Sequence, residues 1–532
     1  VIGLVSEALK RSSFSVLWCL VFVSSTQVQL SWAQEGMNEQ GKSEQVKADA
    51  TSRWLDASIE DLQDSMTAGD LSAQKLVQFY LARIEQYDQQ SPSLNAVQTL
   101  NSQALSEAAA LDSERAEQGP RSLLHGIVVL VKDNYETVGM STTAGSIVFE
   151  GFAPDRDAHL VAQLKTAGAI ILGKTTMHEF AYGITTVGSR FGATKNPYDL
   201  GRNPGGSSGG SGAAVAANFA TLAMGSDTCG SIRIPAAHNN LVGLRGTQGL
   251  SSRRGIVPLS STQDIGGPLA RSVRDLAIVL DVVAGYDPGD AQTAESFGQL
   301  PEHYLDAVQV QRGARIGVLR DWLVQDAQDE DVAKVIREAL AHLHEHADWQ
   351  VIEIESPRVN EALQRPMNGH FVLIYDFKTD INAYLQANPE IGIADIDALL
   401  ADGRSHADIL PSLQASAGMT EESEITYLEE LAQRRVVRQA LLALMNTHNL
   451  DALAYPTIRR VAAPIGEEQL GTNCRLSANS GLPAISVPAG FAGGMPVGLE
   501  LLAESWSEPK LLNLAYTVEQ LLAQRRPPAA TP

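Results

Sequence analysis

Apolar positions recur in two registers along this chain, and the change between them outlines the fold. Spacing of three to four residues joins Ile59, Leu62 and Met66, then Leu76, Phe79, Tyr80 and Ile84, and predicts two helices. From about Leu124 the pattern becomes continuous. Residues 126–131 (GIVVLV) and 169–172 (AIIL) read as strands covered on both faces, with a helical stretch at 159–166 between them. Such alternation belongs to the α/β class. Between 196 and 255 the composition shifts to Gly, Ser and Ala. Helical periodicity dominates from about 315 to 446, including 331–346 and 424–446. Strand patterns return at 450–455, 482–487 and 497–502, and a helix closes the chain over 509–524. One sheet interrupted by a mainly helical insertion over about 315–446 accounts for this order.

The first residues follow a different rule. Lys10 and Arg11 precede an apolar run at 14–23, and Ser31-Trp32-Ala33 has the small-x-small form of a signal-peptidase site. The expectation is a signal peptide over 1–33, a polar lead-in over 34–52 and one folded domain over 53–532. The run is shorter than the roughly 20 residues of a membrane span. No span is therefore expected after cleavage, and the protein is expected to be periplasmic or secreted. With 44% hydrophobic and 19% charged residues, the 532-residue chain is globular in balance and long enough to bury a core without disulfides. A net charge of −22 argues against nucleic-acid binding. Small-molecule partners and a monomer or homodimer are expected instead. Of the three cysteines, Cys229 and Cys474 would remain after cleavage. Export would permit a bridge between them, but Cys229 is expected as a small, unbridged, packed side chain.

Three formal motif matches fail on context. Gly168-Ala-Ile-Ile-Leu-Gly173-Lys174-Thr175 fits GxxxxGK[ST], yet its middle residues read as a strand, whereas phosphate binding needs them curled. Gly205-Gly-Ser207-Ser-Gly209 fits GxSxG, but Pro204 precedes it where a central strand should end. Ser72-Ala-Gln-Lys75 fits SxxK without a later Lys-Thr-Gly, so Ser72 reads as a helix cap. Of His342, His344 and His346, only the first and last share a helix face, near a helix end that suits them electrostatically.

What remains is a pair of Gly/Ser blocks and one lysine. Residues 204–211 (PGGSSGGS) flow into the helix former at 213–218, and a flexible linker is the alternative reading. Residues 225–235 (GSDTCGSIRIP) follow the apolar stretch 219–224. Glycine beside serine lets backbone N–H groups approach a ligand, as an oxyanion hole requires. Lys132 ends the strand pattern of 126–131, either as a snorkelling cap or as a buried base that can lose its proton.

Together these features resemble the amidase signature family over most of the chain after the leader. The residues that carry the resemblance are Val131-Lys132-Asp133-Asn134, Leu172-Gly173-Lys174-Thr175, both Gly/Ser blocks, Gly243-Leu244-Arg245, Tyr455-Pro456-Thr457 and Gly481-Leu482-Pro483-Ala484. The separations of Lys132, Ser207 and Ser231 also look like the family's triad spacing. The resemblance implies an α/β/α sandwich around a large mixed β-sheet, with 53–532 as the catalytic domain. It implies Ser231 as nucleophile, Ser207 in a cis peptide as proton relay, and Lys132 as base. Backbone N–H groups of Thr228, Cys229, Gly230 and Ser231 would form the oxyanion hole, with Ser208, Asp227 and Arg233 in support. The implied reaction is hydrolysis of a small-molecule amide, or of an ester or carbamate, with no cofactor and no metal. An inactive binding protein on the same scaffold is the alternative from another class. Cys229 departs from the family, which more often has glycine there. Asp227 and Arg233 either pair with each other or are solvated.

Overall fold

Every side chain of the strand Val128–Lys132 is buried. Successive strand residues face opposite sides, so this strand is covered on both. It is one of eleven in a single mixed sheet of the computed structural model, which describes residues 53–363 and 370–532. The expected leader (1–33) and lead-in (34–52) lie outside the described residues.

In chain order the strands are β1 (Val97–Leu100), β2 (Val128–Lys132), β3 (Ile170–Thr175), β4 (Leu222–Ser226), β5 (Val242–Arg245) and β6 (Gly266–Ala270), then β7 (Arg315–Leu319), β8 (Gln350–Ile354), β9 (Ala452–Pro456), β10 (Ala484–Ala492) and β11 (Met495–Leu502). Across the sheet they run β1-β3-β2-β4-β6-β5-β10-β11-β9-β7-β8. β2 is parallel to both β3 and β4, and β7 is parallel to both β8 and β9. The four strands between these groups pair antiparallel.

Helix α1 (Ala73–Ile84) begins at Ser72, whose hydroxyl accepts from the Lys75 backbone N–H at 3.2 Å, as a cap should. Helix α2 (His159–Thr166) is the crossover between parallel β2 and β3. Helix α3 (Gly209–Ala216) follows the first Gly/Ser block, and α4 (Arg233–His238) follows the second and packs on β10 and β11. Helix α5 (Glu330–Ala347) packs on β10.

The stretch expected as a mainly helical insertion is narrower than 315–446. It opens with β7 and β8, which extend the sheet to its edge. Their sequences hid this: each is five residues long, and β8 is only partly buried, so neither carries a strong apolar run. The helical part comprises Pro357–Leu363, α6 (His370–Ala387), Ile396–Asp402, Leu410–Ala417 and α7 (Ser423–His448). Two apolar clusters bind it to the rest. Phe377, Ile381 and Leu385 of α6 pack with Phe149, Met177 and Phe180. Val437, Leu441 and Met445 of α7 pack with Leu453, Tyr455 and Leu476, the last in α8 (Arg475–Ser480). Helix α9 (Glu508–Leu522) closes the chain against β10.

Candidate active site

Parallel pairing sets Val131 of β2 opposite Met224 of β4, so the carboxyl ends of both strands open side by side. Lys132 and Ser226 stand at those ends. The Lys132 Nζ donates to Ser226 Oγ at 2.8 Å and to Ser207 Oγ at 2.7 Å. Asn134 Nδ2 also donates to Ser226 Oγ, at 3.0 Å. Lys132 is fully buried, and the desolvation lowers its pKa to about 7 against an opposing pull from Asp264 and Asp227. Such a lysine is largely able to lose its proton near neutrality. The cap alternative needs an ammonium that reaches the surface, and this one does not.

Ser207 is reached through a cis Gly206–Ser207 peptide. A side chain at Gly206 would come within 2.8 Å of the Ile184 backbone, so only glycine fits the turn. The Ser207 carbonyl accepts from the His178 backbone N–H at 3.0 Å. Burial drives the His178 imidazole down to about 3, so it stays neutral beside the site. Ser208 braces the structure. Its hydroxyl donates to the Ser226 carbonyl at 3.2 Å and accepts from the Ser226 N–H at 3.3 Å, while its own N–H donates to the Ser231 carbonyl at 3.3 Å.

The loop from β4 to α4 carries Ser231 and is wound around one carboxylate. Asp227 accepts from the backbone N–H groups of Gly230 (2.8 Å) and Ile232 (3.2 Å), from Arg233 Nε (3.0 Å) and from Arg245 Nη1 (3.1 Å). All three charged groups are buried, so the solvated reading of Asp227 and Arg233 does not hold. Burial alone would raise the Asp227 carboxyl; the two guanidinium groups overcome this and hold it well below the usual carboxylate range. Arg233 also pairs with Glu500 on β11. Thr228 Oγ1 donates to Asp264, and its carbonyl accepts from Gln263 Nε2 at 2.8 Å.

This winding decides which N–H groups are free. Gly230, expected among the oxyanion donors, gives its N–H to Asp227 instead, from a backbone at φ +88° that favours glycine. The N–H groups of Thr228, Cys229 and Ser231 have no acceptor among the described residues. Ser231 lies on a cavity of about 970 Å³ whose lining includes His178, Cys229, Gln263 and Cys474. Cys229 is not an unbridged packed side chain. It forms a disulfide with Cys474, 245 residues away, with the two Cα atoms 5.1 Å apart. The bridge ties the loop that carries Ser231 to the start of α8.

The motifs set aside on context sit where that context implies. Residues 170–175 are β3, and Lys174 is buried with Nζ 3.5 Å from Asp133 and 2.9 Å from Thr142 Oγ1. Sequence reasoning missed Ser226 and Asn134 as partners around Lys132, and Asp264, Arg245 and Glu500 as anchors of the loop. Ser226 had one usable signal, its position at the end of an apolar run parallel to the lysine's strand. Asp264 and Glu500 had none, because their partners lie 36 and 267 residues away.

A family model described as Amidase matches residues 75–512. Among curated proteins, the chain is 34% identical to a glutamyl-tRNA(Gln) amidotransferase subunit of Methanosarcina acetivorans, over 88% of this chain and 97% of that one. It is 36% identical to the subunit of the same name from Thermus thermophilus, over 87% and 97%. Among solved structures, the peptide amidase of Stenotrophomonas maltophilia matches with a TM-score of 0.83 and 38% identity, over 90% of this chain and 99% of that one. The relatives correct two expectations. They are named as subunits and for glutamyl-tRNA(Gln), which overturns the expectation of a small-molecule partner, no nucleic acid and a monomer or homodimer. The same names overturn the expectation of an exported, secreted or periplasmic protein carrying a signal peptide. The match along residues 75–512, the identity over nearly the whole length of these relatives and the eleven-stranded mixed sheet agree: the chain belongs to the amidase signature family.

Proposed function

We propose that this protein hydrolyses a carboxamide C–N bond through an acyl-enzyme on Ser231, with Ser207 and Lys132 moving the proton. The observation that carries the reading is the buried Lys132, whose lowered pKa and 2.7 Å hydrogen bond to Ser207 give a neutral amine a proton to take. A serine hydroxyl is a weak nucleophile until a base removes its proton. In the reaction, neutral Lys132 draws the proton of Ser207 as Ser207 draws that of Ser231. The Ser231 oxygen attacks the carbonyl carbon, and the oxyanion forms against the free N–H groups of Thr228, Cys229 and Ser231. Collapse returns the proton along the same path to the leaving nitrogen, and the C–N bond breaks. Water, deprotonated by the same relay, then attacks the ester of Ser231 and releases the acid.

A fluorophosphonate probe tests this directly. Stoichiometric labelling at Ser231, lost in Ser231→Ala and slowed at least about a hundredfold in Lys132→Met, is the expected outcome. Labelling that fails in the wild type, or that survives Lys132→Met at full rate, overturns the reading and favours a binding protein on this scaffold. The curated relatives support a second reading, in which the nitrogen released goes to an acceptor held by a partner protein. Free glutamine beside peptide amides as substrates separates the two: an amidotransferase component favours glutamine, an independent amidase the peptide amides.

A further inference from the structure

The arginines near the cavity walls are nearly all held by protein partners. Arg233 pairs with Asp227 and Glu500, and Arg245 with Asp227. Arg459 and Arg460 pair with Asp329, and Arg434 donates to Thr262 and Gln263. Arg475, the first residue of α8, is different. It lines the same cavity as Ser231 and is partly buried, yet it makes no hydrogen bond or ion pair among the described residues. Its charged neighbour is a second cation, Arg459, which together with burial lowers its pKa. The chain holds 62 acidic residues, and among the described residues none is set against this guanidinium.

Position gives this lone cation a meaning. The Cα of Cys474 lies 5.1 Å from that of Cys229 in the oxyanion loop. One further residue adds at most about 3.8 Å, so the Arg475 Cα lies no more than about 9 Å from that of Cys229 in the loop. A partly desolvated cation without an acceptor is unfavourable until a ligand supplies the counter-charge. A guanidinium fork matches a carboxylate, whose two oxygens it can bind together.

We propose that Arg475 is a specificity-determining residue that binds a carboxylate on the acyl portion of the substrate. The proposal rests on the carboxamide-hydrolase reading and narrows its substrates to acidic ones. Asp408, Glu467 and Glu468 also line the cavity, but all three are exposed. Their repulsion of an entering anion is screened beyond about 8 Å at physiological salt.

The test uses the full chain and N-acetyl tripeptide amides, with glutamate and glutamine compared at each of the three positions. These pairs differ in charge at nearly constant shape. At one position or more, glutamate is expected to raise kcat/KM at least about tenfold over glutamine, as a charge-assisted hydrogen bond would. In Arg475→Gln the ratio should fall to within about twofold, and Arg475→Lys should retain part of it. The same pairs titrated by calorimetry into Ser231→Ala give the preference without turnover. A glutamate preference in binding without turnover would sink the hydrolase reading while supporting Arg475. Turnover with no charge preference, a preference unchanged in Arg475→Gln, or no charge preference in binding, including no binding at all, overturns the proposal.

Discussion

Lys132, Ser207, Ser208 and Ser226 form a buried group linked by hydrogen bonds. Along the wall of the cavity that Ser231 lines, Asp408, Glu467 and Glu468 are exposed, and Arg475 has no partner among the described residues. The buried group satisfies its side chains within the protein, so they are positioned before any substrate arrives. That is the arrangement in which fixed dipoles favour a developing charge without reorganising. The wall leaves its charges to solvent or ligand. In the proposed reading chemistry is set by the first region and selectivity by the second, and the two can be perturbed separately.

The largest break in the comparison is Ser231→Ala. It should lower turnover by about 10⁴-fold or more while the thermal melt stays at the wild-type temperature, since the Ser231 hydroxyl makes no hydrogen bond among the described residues.

Lys132→Met follows. Wild-type kcat/KM should rise as pH climbs through about 7, where the buried lysine loses its proton. The variant should lose that rising limb together with nearly all activity. The sign for stability is equally definite. Lys132 has a folded pKa near 7 against an ordinary value of 10.5, so the unfolded chain binds more protons between those limits. Its burial therefore penalises the fold fully below pH 7, and the penalty fades as pH rises towards 10.5. Melts of wild type and Lys132→Met across pH 6 to 10 should differ in slope, the wild type gaining more with rising pH. Parallel curves would mean Lys132 is charged in the fold.

Opening the disulfide comes third. Reduction, or Cys474→Ser, frees the loop that carries Ser231 from the wall and should lower kcat by about a hundredfold, the weak end of the range for losing one oxyanion donor. Stability should fall by about 3–5 kcal/mol, because the bridge closes a long loop. The intact mass of unreduced protein should be two hydrogens lighter than after reduction; equal masses would remove the bridge from this account.

The smallest effect belongs to Ser208→Ala, which removes the brace on Ser226 and should cost about 1–2 kcal/mol in a chemical melt. Its activity should remain well above that of Ser207→Ala. Equal losses would mean that Ser208, not only Ser207, carries protons.

What could be read in the sequence follows from range. The apolar run into Lys132 is local, and so is the sharp change to Gly and Ser around Ser207 and Ser231. These fixed the strand, the turns and the candidates. The helices at 159–166 and 424–446 were legible for the same reason, and appear within two residues of those bounds. Strands β7 and β8, at and next to the edge of the sheet, were lost in the helical stretch because strands of five residues need no long apolar run. The pairing of Cys229 with Cys474, the hold of Asp264 on Thr228 and the reach of Glu500 to Arg233 depend on tertiary proximity, which no spacing encodes. Gly230 misled in a subtler way. Its neighbours look like a row of equivalent donors, and only the loop's winding about Asp227 reveals that one of them is already engaged.

The bond between Arg233 and Glu500 has a consequence for how this protein can be cut or rebuilt. Asp227, Arg233, Arg245 and Glu500 make a buried group of two anions and two cations, and the last member enters on β11, close to the end of the chain. A fragment ending before β11 would leave Arg233 with half its counter-charge in a site that water does not reach. Removing one partner from such a group costs about 3–5 kcal/mol. The loop that carries Ser231 is therefore neutral only when the carboxyl-terminal strands are in place. Split versions of this chain should regain the fluorophosphonate labelling proposed for Ser231 only upon reassembly of both pieces.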